Sequence, residues 1–304
     1  MELRQLLTFR MVAETLSFSR TAQALNYVQS SVTAQIQGLE EELGVRLFDR
    51  LGKRVALTDA GTRLVPYANK ILNLSEEARS VVMGGDIPMG TLTITAPESI
   101  CTYCLPEVLS RFRKGFPQVK LLFRSSTFSD IRRGVSEGDV DLGFIIDDPQ
   151  HSTALTIETL APAPLYLLVS PDHRLARRVS VSSHDLEDEQ FLLTEMGCAY
   201  RNALERDLNE AGLRVFTHLE FEGIEAIKQC AIAAMGIAFL PAMTVARELE
   251  AGSLVRLNWE DQEFSAVIQM LWHKDKWVSP ALQAFLEVTR DVLQAHRILL
   301  PLTH

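Results

Sequence analysis

Residues 29 to 37 read QSSVTAQIQ, a run without charge in which Gln29, Ser30, Ser31, Thr33, Gln35 and Gln37 supply amides and hydroxyls. Such groups are weak acids and weak nucleophiles, but each hydrogen-bonds without carrying charge. An amide places a donor beside an acceptor, which suits the edge of a nucleic-acid base, and Ser or Thr reaches a base or a phosphate. Val32, Ile36, Leu39 and Leu43 form an apolar stripe through the same stretch, so the polar residues cover the outer face of a helix. Arg50, Lys53 and Arg54 then surround a glycine in RLGKR. Cations of this kind hold phosphates and give affinity without reading sequence.

Other residue groupings carry less chemistry. Cys101-Thr-Tyr-Cys104 opens a helix after a strand, where a helix dipole lowers a thiol pKa. It lacks the flanking residues of thiol–disulfide enzymes and a second cysteine pair for zinc. Cys101 and Cys104 are read as incidental, one lining a pocket and one facing a core. Cys198 sits in the loop TEMGCAYR and is read as a small cleft-lining residue, while Cys230 falls on the apolar side of IKQCAIAAMG. Asp139, Asp141, Asp147 and Asp148 fit strand and hinge-loop positions better than a metal cage. The sequence contains no phosphate loop, dinucleotide fingerprint or serine elbow, so no catalytic set, metal or cofactor is expected.

These groups need a scaffold, and 304 residues suffice for two or three domains. Residues 1–88 balance ten Lys/Arg against ten Asp/Glu, so the whole net charge of −9 falls on residues 89–304. That asymmetry points to different partners for the two parts, and an acidic remainder keeps the rest of the molecule off phosphate. No apolar run has the length of a membrane span. The N-terminus mixes Arg4, Arg10 and Glu14 into its apolar positions, unlike a secretory signal. A cytoplasmic protein without a membrane partner is expected.

Leu6, Phe9, Ala13 and Leu16 predict a first amphipathic helix. Ser19 is placed as the N-cap of a second, short helix that ends at Asn26, and the stretch from residue 29 forms the third. Leu47 and Phe48 return to this core, and residues 50–58 predict a turn with an extended return, a basic wing. Thr58 caps a long helix to Val82, interrupted at Pro66. Its seam of Leu64, Ala68, Ile71, Ser75, Ala78 and Val82 is heptad-like and suited to a second copy. GGDIPMG at 84–90 reads as a linker. Beyond it, strand patterns alternate with helices, which predicts an α/β part with mainly parallel sheet and a ligand site in the loops after its strands.

LRQLLTFRMVAETLSFSRTAQALN, QSSVTAQIQGLEEELGVRLFDR and LTDAGTRL resemble the LysR-type transcriptional regulators, densely over residues 1–65. DVDLGF, MGIAFLP and ELEAGSLVRL resemble the same family's effector domain. The resemblance implies an α/β protein with an all-α N-terminal part. A winged helix-turn-helix would occupy residues 1–58, a linker (dimerisation) helix and hinge 59–88, and a two-lobed effector domain like a type 2 periplasmic binding protein 89–304. The first lobe would hold about 89–163 plus 266–304 and the second about 164–265. The resemblance further implies a homodimer, assembling to a homotetramer, on an interrupted inverted repeat of double-stranded DNA, with RNA polymerase a further candidate partner.

Carried over residue by residue, Gln29 stands at the family's base-reading glutamine, and Thr33 and Gln35 match polar residues of its recognition helix. Val28, Ser30 and Ala34 replace a common Ser, Pro and Arg or Lys. That shifts phosphate binding to Arg50, Lys53 and Arg54, with Ser19, Arg20, Ser30, Ser31 and Gln37 completing the DNA face. For the effector, Ser99 with Ile100 and Cys101, then Ser126 and Thr127, and then Cys198, Gly223 and Ile224 mark the loop–helix junctions. Helix N-termini there favour an anionic or carbonyl-bearing ligand, with Arg201 as counter-charge. The rival readings are a thiol switch at Cys198, a solute-binding protein and, weakest, an enzyme.

Overall fold

The computed structural model describes all residues except 52–53, 83–87, 214–218, 222, 260–265 and 297–304. Two compact units make up the chain, one holding residues 1–87 and 137–139 and the other 88–136 and 140–304.

The first unit begins with α1 (Leu3–Thr15), α2 (Phe18–Ala24) and α3 (Gln29–Leu43). Leu6, Phe9 and Val12 of α1 meet Val32, Ile36 and Leu39 of α3 in one buried cluster. Leu16 departs from the expected stripe: it ends α1 in the left-handed conformation at φ 47° and is exposed. The N-cap of α2 is Ser17, whose hydroxyl accepts from Arg20 N, and not Ser19, which lies inside the first turn. Asn26, with φ 54°, turns the chain into α3, and Gly44 at φ 68° closes α3. Strands β1 (Phe48–Leu51) and β2 (Arg54–Leu57) pair antiparallel as the wing. Phe48 seats the wing on the helices, its ring 5.4 Å from Phe9 and 6.0 Å from Phe18.

Helix α4 (Asp59–Val82) follows, with Pro66 inside it. Thr58 Oγ1 accepts from Gly61 N at 3.0 Å and donates to Arg46 O at 2.7 Å. Gly61 is required by close approach, since a Cβ there would lie 2.2 Å from the Leu47 carbonyl oxygen. The expected dimer seam is corrected in part. Leu64, Ala68 and Ile71 pack on the unit's own core, while Tyr67 and Leu74, one heptad apart, are both 62% exposed.

The second unit contains two five-stranded sheets. The first combines β3 (Gly90–Ala96), β4 (Val119–Ser125), β5 (Leu142–Asp147), β6 (Leu155–Pro162) and the late strand Val267–His273. Helices α5 (Glu98–Tyr103), α6 (Leu105–Gly115) and α7 (Phe128–Glu137) lie between its early strands in sequence. The second sheet combines β7 (Leu165–Val169), β8 (Phe191–Thr194), β9 (Leu219–Phe221), β10 (Ile237–Pro241) and β11 (Val255–Arg256), with α8 (Ala199–Glu210), α9 (Ile224–Ile232) and α10 (Ala246–Glu250) between them in sequence. The late strand of the first sheet is β12, and α11 (Pro280–His296) follows it.

The sheets are mixed, where mainly parallel pairing was expected. In each, three strands run parallel, β4-β3-β5 and β9-β8-β10. The remaining pairs, β12 with β5 and β6, and β7 with β10 and β11, are antiparallel. The cause is topological. The chain crosses between sheets after β6 and again before β12, and a strand arriving that way needs no helical crossover, so it can pair antiparallel. Ala163 N donates to Ala266 O at 2.8 Å and ties the two crossings together. One buried cluster runs through both sheets, from Leu92 and Phe144 to Leu193 and Phe239.

Candidate functional sites

On the first unit, Gln29, Ser30, Ala34 and Gln37 are exposed along α3, and Ser31 and Thr33 are half-buried. The segment from 29 to 37 is about 12 Å long at helical rise, a length that fits within a DNA major groove. Val28 at the N-cap makes no side-chain cap, which leaves the first amides of α3 open. Ser19 Oγ donates to Gln29 Oε1 at 3.0 Å. The bond engages the amide oxygen of this exposed side chain and leaves its NH2 group as the donor. Arg20 is exposed, with Nη2 donating to Thr15 O at 2.9 Å.

Gln35 requires a correction. Its Oε1 accepts from Thr8 Oγ1 at 2.6 Å, and Thr8 is fully buried in α1. The side chain is therefore held against the core of the unit. The acids after α3's polar face also have local work, since Glu40 Oε1 accepts from Leu47 N and Phe48 N and Glu42 pairs with the N-terminal amine. Lys53 and the side chains of Arg50 and Arg54 lie outside the described residues.

The second unit contains a cleft of about 280 Å³. Its wall from the first sheet is formed by Glu98 and Ser99 of α5, by Ser125, Ser126, Thr127 and Phe128 at the end of β4, and by Ile146. Thr194, Glu195, Cys198, Tyr200 and Ile224 line it from the second sheet's side. Both walls thus begin where parallel strands end, the position an open α/β sheet assigns to a ligand. Ser99 is 1% exposed and its hydroxyl has no hydrogen-bond partner. Thr194 is buried too, with its hydroxyl against the Cys198 thiol and the Tyr200 hydroxyl as hydrogen-bonding neighbours. Buried polar atoms are normally satisfied, so the orphan Ser99 hydroxyl on the cleft indicates a partner supplied from outside the chain.

Ser99, Ser126, Thr127, Cys198 and Ile224 are therefore brought together, and four expected residues are not. Ile100 is buried in the core, and the Cys101 thiol donates to Ala96 O at 3.4 Å. Gly223 caps α9 behind Ile224, with its open side toward Glu98. Arg201 is buried, and its guanidinium binds Glu205 and Glu220, each at 2.7 Å, and the carbonyl of Thr194. Its charge is neutralised inside the fold, so it offers no counter-charge to the cleft. Glu98, Ser125, Phe128, Thr194, Glu195 and Tyr200 were missed. Strict use of the strand-end rule would have found Glu98, two residues past β3, and Glu195, which directly follows β8.

Burial sets the thiol chemistry. Desolvation pushes Cys101 up to about 11 and Cys104 up to about 12, and it raises Cys198 as well. None has the lowered pKa of a reactive cysteine. Tyr200 is also pushed well above the ordinary tyrosine value, chiefly by burial.

Two family models match, together spanning most of the chain. Residues 3–62 match the bacterial regulatory helix-turn-helix protein of the lysR family, and residues 85–294 match the LysR substrate binding domain. The chain belongs to the LysR-type transcriptional regulators. It is similar to the uncharacterized HTH-type transcriptional regulator YwqM of Bacillus subtilis, with 44% identity covering 97% of this chain and all of the relative. The regulator GltR of the same organism is 33% identical over 98% of this chain and 99% of its own. Among solved structures, a full-length OxyR variant from Pseudomonas aeruginosa superposes with a TM-score of 0.76 at 24% identity, covering 97% of this chain and 95% of that one. CbnR complexed with its target DNA superposes with a TM-score of 0.67 at 24% identity, covering 96% and 100%. This LysR-type regulator thus combines a DNA-binding helix-turn-helix with an effector-binding α/β unit. Among the described residues, no helix is long and apolar enough to cross a membrane.

Proposed function

We propose that this regulator reads double-stranded DNA with the exposed face of α3, Gln29 making the sequence-specific contact and the wing cations holding phosphate. The observation that carries this reading is the Ser19–Gln29 bond, which leaves an amide donor on an uncharged helical face. Thr33 and Gln37 continue that face. Two copies pair through α4, where Tyr67 and Leu74 are exposed one heptad apart. A symmetric dimer matches an inverted repeat, and two dimers give the homotetramer expected for the family. The protein is cytoplasmic and acts without chemistry. Its effector occupies the cleft lined by Ser99, Ser126, Thr127, Thr194 and Tyr200, and the buried orphan hydroxyl of Ser99 supports that placement. A thiol switch at Cys198 is disfavoured, because burial holds the thiol protonated.

Gel shifts with DNA selected from the host genome test the reading. Gln29→Ala should relax sequence preference with little change in salt dependence. Lys53→Ala should weaken all sequences alike and flatten the salt slope by about one. A Gln29→Ala protein that keeps full operator preference refutes the assignment.

A further inference from the structure

The charges on the cleft point away from an anionic ligand. Glu98 and Glu195 line it from opposite sides, and no Lys, Arg or His is among its lining residues. Of the cations on the adjoining helices, Arg132 of α7 lies 5.7 Å over the Phe128 ring and donates to the neutral Gln150 amide, and the two on the second sheet's side are neutralised. Arg201 binds Glu205 and Glu220, and Lys228 binds Glu225 and Glu248. The N-terminus of α9, the expected seat for an anion, is also taken, since Glu98 Oε2 accepts from Ile224 N at 2.9 Å. Glu195 makes no side-chain hydrogen bond or ion pair among the described residues. Around these carboxylates stand hydroxyl acceptors, including the unpartnered Ser99 Oγ and the hydroxyls of Ser126 and Thr127.

We propose that the cleft selects an amine-bearing small molecule, whose ammonium group is held between Glu98 and Glu195 and hydrogen-bonded to Ser99. An ammonium brings three donors and no acceptor, which complements two carboxylates and the unpartnered Ser99 hydroxyl. It also supplies positive charge that the site lacks, whereas a carboxylate ligand meets two like charges without a compensating cation. The inference rests on the reading of the cleft as the effector site and narrows it to a chemical class.

The test uses the full-length protein, titrated calorimetrically with three four-carbon probes: 1,4-diaminobutane, succinate and succinamide. The diamine should bind at millimolar concentration or better, and succinate should not. Glu195→Gln should weaken the diamine at least about tenfold, the loss of one charge-assisted contact. Glu98→Gln keeps an acceptor for Ile224 N and should weaken it comparably. Glu187→Gln, a change on the exposed surface, should leave it unaltered. Binding of succinate in preference to the diamine overturns the proposal, as does no diamine binding or full diamine affinity in Glu195→Gln. If the diamine binds through Glu195 but leaves DNA occupancy unchanged in footprinting, the ligand class holds and the effector reading fails. If the diamine does not bind while DNA is still recognised, the ligand class fails alone.

Discussion

Gln35→Ala distinguishes a base-reading residue from one that holds the reading helix in place. Gln35 accepts from Thr8 Oγ1 at 2.6 Å, and Thr8 is 0% exposed. Truncation removes a neutral hydrogen bond with a net worth of about 1 kcal/mol and leaves a buried hydroxyl whose desolvation costs about 1–3 kcal/mol. Thr8 can turn back to a carbonyl of its own helix, so a loss of about 1–2 kcal/mol is expected, the lower part of that range. Thr8→Val should cost a similar amount, and the double variant less than the sum, since the two share one interaction. Trp259, Trp272 and Trp277 all lie beyond residue 88, so tryptophan fluorescence is blind to this unit. Amide hydrogen exchange in α1 and α3 is the suitable assay, and protection there should fall about tenfold. Operator preference should survive at matched folded fraction. Unchanged protection with lost preference would return Gln35 to the base-reading face.

The remaining predictions concern one bond, one glycine, the thiols and one buried cation. Ser19→Ala frees the Gln29 amide and should reduce discrimination at one base pair by about 1 kcal/mol without altering the salt slope, measured with operator point variants; unaltered discrimination refutes the positioning role. Gly61→Ala drives a methyl into the Leu47 carbonyl and should lower stability by about 1–3 kcal/mol, read as reduced exchange protection in α4. Burial raises the Cys101 thiol to about 11, so at pH 8 about one molecule in a thousand carries the thiolate. Its alkylation, followed by mass spectrometry, should run about a hundredfold slower than that of a free cysteine and accelerate as pH rises. Lys228→Met leaves Glu248 without its partner and should destabilise the second unit by about 3 kcal/mol, with Glu248→Leu partly restoring it in urea unfolding.

The helices of the first unit were legible because period and punctuation agree. Val32, Ile36 and Leu39 are buried at the expected spacing, and Asn26 takes the expected positive φ. Side-chain commitments were not legible. Gln35 and Gln29 are the same residue type on one helix, and only the tertiary partners Thr8 and Ser19 give them different work. Ser17 and Ser19 compete for one cap, and local spacing cannot choose between them. In the α/β unit the strand patterns placed most elements, but the short β9 and the half-exposed β6 gave no clear alternation. Pairing direction was hidden because it depends on where the chain crosses between sheets. Arg201 looked free although Glu205 stands four residues on in the same helix; its burial rests on Glu220 of β9 and the Thr194 carbonyl, which local spacing does not show.

Coupling between the cleft and the rest of the regulator requires contacts that differ between states. An effector touching one wall alone binds open and closed forms equally and shifts nothing. Helix α5 of the first wall makes direct contacts with the second. Glu98 reaches Ile224 N at 2.9 Å, Tyr103 accepts from Lys228 Nζ at 3.3 Å, and the Cys104 Sγ lies 3.2 Å from Met243 Sδ. Ser99, between Glu98 and these contacts, has its hydroxyl unpartnered. Moving a population from 1:99 to 99:1 takes about 5.5 kcal/mol of differential binding, and one hydrogen bond to a charged group is worth about 1.5–3 kcal/mol. At least two such contacts must therefore form only when the walls approach. Glu98 and Glu195, one on each wall, are the pair able to supply them to a single ammonium group, which makes neither carboxylate alone sufficient for switching.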